Sequence, residues 1–220
     1  MERPDEMGYA HYMEHLTMRG SRHVPDGESK RIWQRLGVTF GSDSNAVTSP
    51  TGTTYALDLP QATQASLNES LKILSGMMAD PNIVDSAIAA ERAVVLAERR
   101  ESEGIQMRVS DASRQHFFAG QPLADHSPIG TVATLNAATA KAMAAFHKRW
   151  YRPENTVIAI AGDIDPEQAE QLIRDNFAAW SATGKGAAIP DFGKPDPKSP
   201  ATRVLAEPGT PVGLTAAWLR

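Results

Sequence analysis

The chain of 220 residues has no cysteine. That excludes disulfides and thiolate ligands, so any metal site must be built from imidazole and carboxylate; it says little about compartment. There is also no apolar run of about 18 residues, which excludes a membrane-crossing helix. An excess of basic charge is missing too: 22 Lys and Arg stand against 26 Asp and Glu, for a net charge of −4. Nothing in that balance points to nucleic acid or an anionic membrane as a partner. Aromatic residues are few, at 6%, and scattered, so most are read as core. No signal segment is visible, because Met1 leads straight into Glu2-Arg3-Pro4-Asp5-Glu6. What the chain does have is ordinary for a globular protein, 41% hydrophobic and 22% charged, with enough apolar content for a sizeable core.

The stretch His11-Tyr12-Met13-Glu14-His15 carries the chemistry. On a helix, His11 and His15 are one turn apart on one face, and Glu14 lies beside both rings. Two imidazoles so placed can take two corners of a tetrahedral zinc. A neighbouring carboxylate can take a proton from water that the metal activates. H-x-x-E-H is the inverted form of the H-E-x-x-H zinc helix. The alternative is a plain amphipathic helix on which two His and a Glu meet by chance.

Along the chain, periodicity predicts a first helix over about 7–19 and a second over about 28–36 with Gly37 beyond its end. Val38-Thr39-Phe40 opens an extended stretch, Ser49-Pro50-Thr51-Gly52 makes a turn, and residues 53–59 alternate as a strand. Helices are then expected from Pro60 to about Ala79, over about 85–103 and over about 105–118. Residues 119–130 read as a surface loop. A helix capped by Thr139 runs to Trp150, and the apolar run Thr156 to Ala161 reads as a central strand buried on both sides. Asp165 and Pro166 start a last helix, to about Trp180. From about 183 to 201 the composition turns to that of a linker, followed by two strands, Thr202 to Glu207 and Val212 to Leu219. Hairpin strands with segregated helices indicate an α+β fold with an antiparallel sheet packed by helices. Thr183-Gly184-Lys185-Gly186 resembles a phosphate loop only faintly, and the sequon at Asn68 lies on an expected helix; both are set aside.

A catalytic zinc site needs a third ligand. The remaining histidines are 23, 116, 126 and 147: His23 lies in a loop, His147 in the Phe146 to Tyr151 cluster reads as structural, and His126 has no partner at metal spacing. Glu91 and Glu98 are better placed: seven residues apart on one helix, they differ by about 20° around it and share a face with Val94 and Val95. A cation opposite would remove the cost of burying them. Alternatively both reach solvent, or Arg99 and Arg100. Geometry alone does not choose between the two.

Several blocks in order resemble the inverted zinc metallopeptidases of the pitrilysin family, M16. Gly8 to Leu16 with Arg19-Gly20-Ser21 resembles its G-x-A-H-F-x-E-H-M block and K-G-T tail. Asn45-Ala46-Val47-Thr48 with Thr54-Tyr55 resembles its N-A-x-T…T-x-Y strand, and Glu91 to Glu98 its E-R-x-V-V-x-x-E helix. Phe146 to Asn155 with Ala161 to Pro166 resembles its F-H-x-x-W-Y-x-P-x-N…G-D-x-D-P segment. The resemblance implies a LuxS/MPP-like metallohydrolase fold and an endopeptidase cutting extended peptides with one zinc per chain. It makes His11, His15 and Glu98 the ligands, Glu14 the general base and Glu91 a supporting acid. Asn45 and Ala46 would lie on an edge strand that pairs with substrate. The Trp150 to Pro153 and Gly162-Asp163 segments would be a structural join without chemistry.

The resemblance also implies two strands ahead of the zinc helix, which this sequence does not contain, and a second homologous half that closes over the metal and supplies an Arg and a Tyr to the substrate carbonyl. The expected organisation is therefore a zinc-binding domain over 1–182, a linker over 183–201, and the start of a second domain or terminal strands over 202–220. A second half or partner subunit is expected, and a non-catalytic or truncated zinc-binding subunit is the alternative function. Family members occur in several compartments; periplasmic or secreted is the preferred reading.

Overall fold

In the computed structural model, which describes residues 2–188, 190–194, 203–206, 208 and 213, helices build most of the chain. In order they are α1 (Tyr9–Arg19), α2 (Glu28–Arg35), the hairpin β1 (Ser44–Ser49) and β2 (Gly52–Leu57), α3 (Gln64–Ala79), α4 (Asp85–Ser102), α5 (Ile105–Phe117), α6 (Val132–Ala137), α7 (Ala140–Trp150) and α8 (Pro166–Phe177). Short 3-10 turns lie at Pro4–Glu6, Pro122–Asp125 and Pro153–Asn155. The architecture is α+β, with an antiparallel sheet of two strands among the described residues.

α1 is the centre of the packing. Tyr9, Tyr12, Met13 and Leu16 recur at spacings of three and four, so they form one stripe, and all are buried. That stripe meets Ile88 and Val95 of α4, Leu135 of α6, and Met143 and Phe146 of α7 in one core cluster. The Tyr12 hydroxyl donates to the Ile88 carbonyl, and Arg92 donates to the carbonyls of Leu135 (3.2 Å) and Ala138 (2.6 Å), which ties α4 to the end of α6. A second cluster joins Trp33 of α2 to Ile73 and Met77 of α3, with Tyr55 and Leu57 of the hairpin against it. Along the hairpin, Ala46, Thr48, Thr53, Tyr55 and Leu57 are partly buried, while Asn45, Val47, Thr54 and Ala56 are exposed, as period-two alternation requires.

The start of α1 is held from outside the helix. Gly8, its N-cap at φ 92°, has no side chain with which to cap. Glu2 does so instead, accepting the N–H groups of Gly8 (3.1 Å) and Ala10 (2.5 Å), while His126 Nε2 lies 3.3 Å from Glu2 Oε2. The loop that brings His126 there passes very close: a Cβ on Gly8 would fall 2.7 Å from Gly130 Cα. Only glycine tolerates both that approach and the positive φ.

Several sequence expectations are corrected. The hairpin's first strand begins at Ser44, with Phe40 making only a bridge to Ser44. The third helix begins at Gln64 because Thr63 caps it, accepting the Ser66 N–H at 3.1 Å. Residues 119–130 are not merely a surface loop, since Gln121, Ala124 and His126 are buried and Pro122–Asp125 is helical. α6 was not anticipated, and the last helix ends at Phe177, short of Trp180. The run Thr156 to Ala161 is not a buried strand: it forms no ladder, and Val157 is 92% exposed. An apolar run becomes a central strand only with a strand on each side, and none lies beside it among the described residues. Of the C-terminal strands, 203–206 has no regular structure, and nearly all of 212–219 lies outside the described residues.

Burial pushes the Glu2 carboxyl up to about 7, against the Ala10 and Gly8 hydrogen bonds, which lower it. A carboxyl raised on folding binds more protons in the native state, so its contribution to stability is full below about pH 4.5 and is lost as pH rises to about 7. The loss is on the order of 3 kcal/mol. Urea melts across that window should show wild type losing stability relative to Glu2→Gln as pH rises; parallel curves would contradict this account.

Candidate metal centre

The 11/15/19 spacing places His11, His15 and Arg19 on one face of α1, away from its buried stripe. The seven-residue spacing places Glu91 and Glu98 on one face of α4, and the two helices pack together. Imidazoles from one helix therefore meet carboxylates from the other. Glu98 Oε2 lies 3.5 Å from His11 Nε2 and 3.4 Å from His15 Nε2. One ligand atom from each of the three residues lies within 4.8 Å of the other two, the one such cluster among the described residues. The two rings are edge to face, with centroids 4.8 Å apart.

These residues fit a zinc ion. All three donors are imidazole nitrogen or carboxylate oxygen, and bonds of about 2.0–2.1 Å in a tetrahedron place ligand atoms roughly 3.3–3.4 Å apart. The two contacts to Glu98 match that separation and exceed an ordinary hydrogen bond of about 2.9 Å. Burial, then the neighbouring His15, lowers the basicity of His11, against the pull of Glu98. His11 Nδ1 is buried and has no hydrogen-bond partner.

Glu91 does not join the cluster. It sits behind His15, with Oε2 3.1 Å from His15 Nδ1 and Oε1 accepting from Arg19 Nη1 at 2.7 Å. Burial acts to raise the Glu91 carboxyl, but the His15 and Arg19 hydrogen bonds outweigh it and hold it below its usual value. For His15, burial lowers the imidazole, while Glu91 and then Glu98 more than offset this and raise it. Arg99 pairs with Glu103 at 3.4 Å, so the alternative in which it serves the two carboxylates is not what forms.

Glu14 points toward the hairpin, where Thr48 Oγ1 donates to its Oε2 at 2.5 Å. Burial raises its carboxyl, partly offset by that hydrogen bond. Thr48 also meets Thr53 at 3.1 Å. A second chain of hydroxyls supports the same residue from below: Thr17 donates to the Glu14 carbonyl (2.8 Å) and meets the Tyr55 hydroxyl (3.0 Å), which meets Tyr151 (2.7 Å). Burial raises both tyrosine hydroxyls, so they stay protonated as hydrogen-bonding groups.

Asn45 and Ala46 lie on β1, whose ladder, among the described residues, runs on one side only, to β2. Ser49 and Gly52 close the two-residue turn, so alternate residues bond to β2 and Ala46 turns its main chain to the open edge. There its N–H is taken by the Asn45 side chain at 2.9 Å. The remaining histidines stay outside the cluster. His147 Nε2 bonds the Met78 carbonyl at 2.9 Å, and His126 meets Glu2.

Sequence reasoning gave no role in the site to Thr48, Thr17, Tyr55, Tyr151, Arg19 or Glu2, although Arg19, Thr48, Tyr55 and Tyr151 fall in the motif blocks. Two had a legible signal: Arg19 continues the spacing of four from His11 and His15, and Thr48 lies two positions after Ala46 on an alternating strand. Tyr151 falls in a segment expected to be a plain join, yet its hydroxyl reaches the network beneath Glu14.

Comparison with known proteins gives two family matches. The pattern for the insulinase family, peptidase family M16, matches residues 1–127, and that for the peptidase M16 inactive domain matches residues 137–218. The probable zinc protease PqqL of Escherichia coli strain K12 is 32% identical over 181 residues, 82% of this chain and 19% of that protein. The chain thus spans about a fifth of that curated relative. The crystal structure of the first half of the periplasmic protease PqqL from Escherichia coli superposes with a TM-score of 0.82 at 30% identity, over 88% of this chain and 41% of that one. Pitrilysin, at 21% identity and a TM-score of 0.68, shares the fold over 88% of this chain and 20% of its own. With the family pattern matched over residues 1–127, more than half of its 220, the chain belongs to the insulinase family, peptidase family M16.

Proposed function

We propose that this chain is the zinc-holding part of a metalloendopeptidase, with one zinc held by His11, His15 and Glu98 and with Glu14 as general base. The observation that carries this is the convergence of both imidazole Nε2 atoms on one Glu98 oxygen, at 3.5 and 3.4 Å. Bound there, zinc supplies Lewis acidity that makes water a nucleophile near neutral pH. Glu14 takes the proton from the attacking water and returns it to the leaving amine. Its burial raises it from the ordinary carboxylate range, bringing its basicity closer to that task, while Thr48 orients it. Glu91 acts behind His15, fixing that ring through Nδ1.

Substrate is an extended peptide that pairs with the open edge of β1, exchanging the Asn45 side chain for a peptide carbonyl on the Ala46 N–H. Affinity by main-chain hydrogen bonds gives loose sequence preference. The zinc-holding unit is taken as residues 1–182, with 183–201 connecting onward.

A second reading is favoured by coverage: the chain spans 19% of the PqqL sequence and 41% of its crystallised first half. In that reading it holds zinc but cleaves only with a second half or partner subunit over the site. By analogy with that periplasmic relative, we place its action in the periplasm or outside the cell.

About one zinc per chain is expected in wild type by metal analysis, and substantially less in His15→Ala and Glu98→Gln. Glu14→Gln should keep its zinc and lose cleavage of an unstructured fluorogenic peptide by at least about 100-fold. Zinc without cleavage, restored by adding a second half, selects the second reading; no zinc in a folded wild type refutes both.

Ala46→Pro removes the edge N–H without breaking the ladder to β2. Losing one main-chain hydrogen bond of about 1 kcal/mol should weaken binding of a labelled peptide to the Glu14→Gln protein roughly fivefold, with zinc content unchanged. Equal anisotropy titrations for the two proteins would rule out this edge as the docking site.

A further inference from the structure

We infer that Arg19 is a positioning residue for the metal centre, acting through Glu91 to hold the His15 ring with Nε2 turned toward the point where the three donor atoms meet. This rests on the zinc reading above. Each oxygen of Glu91 has one partner. Arg19 Nη1 donates to Oε1 at 2.7 Å, and His15 Nδ1 lies 3.1 Å from Oε2. Held at both oxygens, the carboxylate has little freedom to rotate, and an acceptor fixed beside Nδ1 places the proton there and leaves the Nε2 lone pair for the metal.

Arg19 is itself anchored. Its Nη2 donates to Asp26, and its carbonyl accepts the Gly27 N–H at 2.7 Å, so the loop after α1 fixes both ends of the residue. The result is a continuous line, Asp26 to Arg19 to Glu91 to His15, drawn from α1, the following loop and α4. Glu91 has a side chain only 12% exposed, so water is a poor substitute for the guanidinium. The two imidazoles differ in this respect. His11 Nδ1 is buried without a partner, so His15 alone of the pair is oriented by a carboxylate on its far nitrogen. Arg19 therefore steadies the carboxylate behind the one ring that is held in this way.

The test is zinc affinity of the full chain, measured by competition with a chromophoric chelator, with the visible spectrum of the cobalt-substituted protein as second readout and circular dichroism melts as a fold check. Arg19→Met should weaken zinc binding about 10- to 100-fold and alter the cobalt bands. Arg19→Lys, which keeps a cation beside Oε1, should restore most of the affinity, and Asp26→Asn should fall between wild type and Arg19→Met. A folded Arg19→Met protein with wild-type affinity and an unchanged cobalt spectrum overturns the inference while leaving the zinc reading intact. A folded wild type without zinc overturns the zinc reading itself and the inference with it. Should Arg19→Met fail to fold, Asp26→Asn and Arg19→Lys decide: weakened binding with altered bands in Asp26→Asn and near-normal behaviour in Arg19→Lys supports the inference, and wild-type behaviour in both overturns it.

Discussion

Two carboxylates on one face of α4, packed against another helix, are the constraint on which the arrangement depends. Taking a carboxylate out of water is unfavourable by several kcal/mol unless it is paired. α1 meets that demand with a row of nitrogen-bearing side chains at spacings of four, each opposite a carboxylate. Glu91, the more buried of the pair, is satisfied by Arg19 and His15, which hold its carboxyl below its usual pKa. Glu98, more exposed, faces two imidazoles at distances too long for good hydrogen bonds. One carboxylate is thus already paired, and the other is left for a cation. That difference is what the proposed division of roles between the two carboxylates of one helix rests on.

α1 serves two cores at once. Its apolar stripe belongs to the cluster with α4, α6 and α7, while Met18 at its end packs with the cluster around Trp33. The polar face between them carries the site. Because the stripe is locked on one side and Glu2 holds the first turn, the histidines stand on a rigid element rather than a loop, which suits a site needing fixed donor geometry.

How much of this was legible in the sequence follows from whether the signal was local. The His11/Glu14/His15 spacing and the Glu91/Glu98 spacing are helical periods, and both helices formed where periodicity placed them. Choosing Glu98 over Glu91 was not possible from spacing, since both share a face; the difference lies in Arg19, on a helix 72 residues away in sequence. The Glu2 cap was hidden for the same reason, its burial depending on a loop more than a hundred residues downstream. Thr156 to Ala161 failed in the opposite way: its composition speaks for burial, but burial depends on neighbouring strands that no property of the run itself supplies. The family resemblance chose Glu98 where residue geometry could not.

The hairpin joins two things usually considered apart. Thr48, which orients the Glu14 carboxylate, is two residues along from Ala46, whose main chain faces the free edge of the same strand. On the partner strand, Thr53 meets Thr48, and Tyr55 reaches the Glu14 backbone through Thr17. The strand and the Glu14 carboxylate are thus joined as one lever with a single short arm. Any load that straightens or shifts β1 reaches the Glu14 carboxylate through the Thr48 hydrogen bond, so on the docking proposed above, filling the edge and aligning Glu14 would be a single mechanical event.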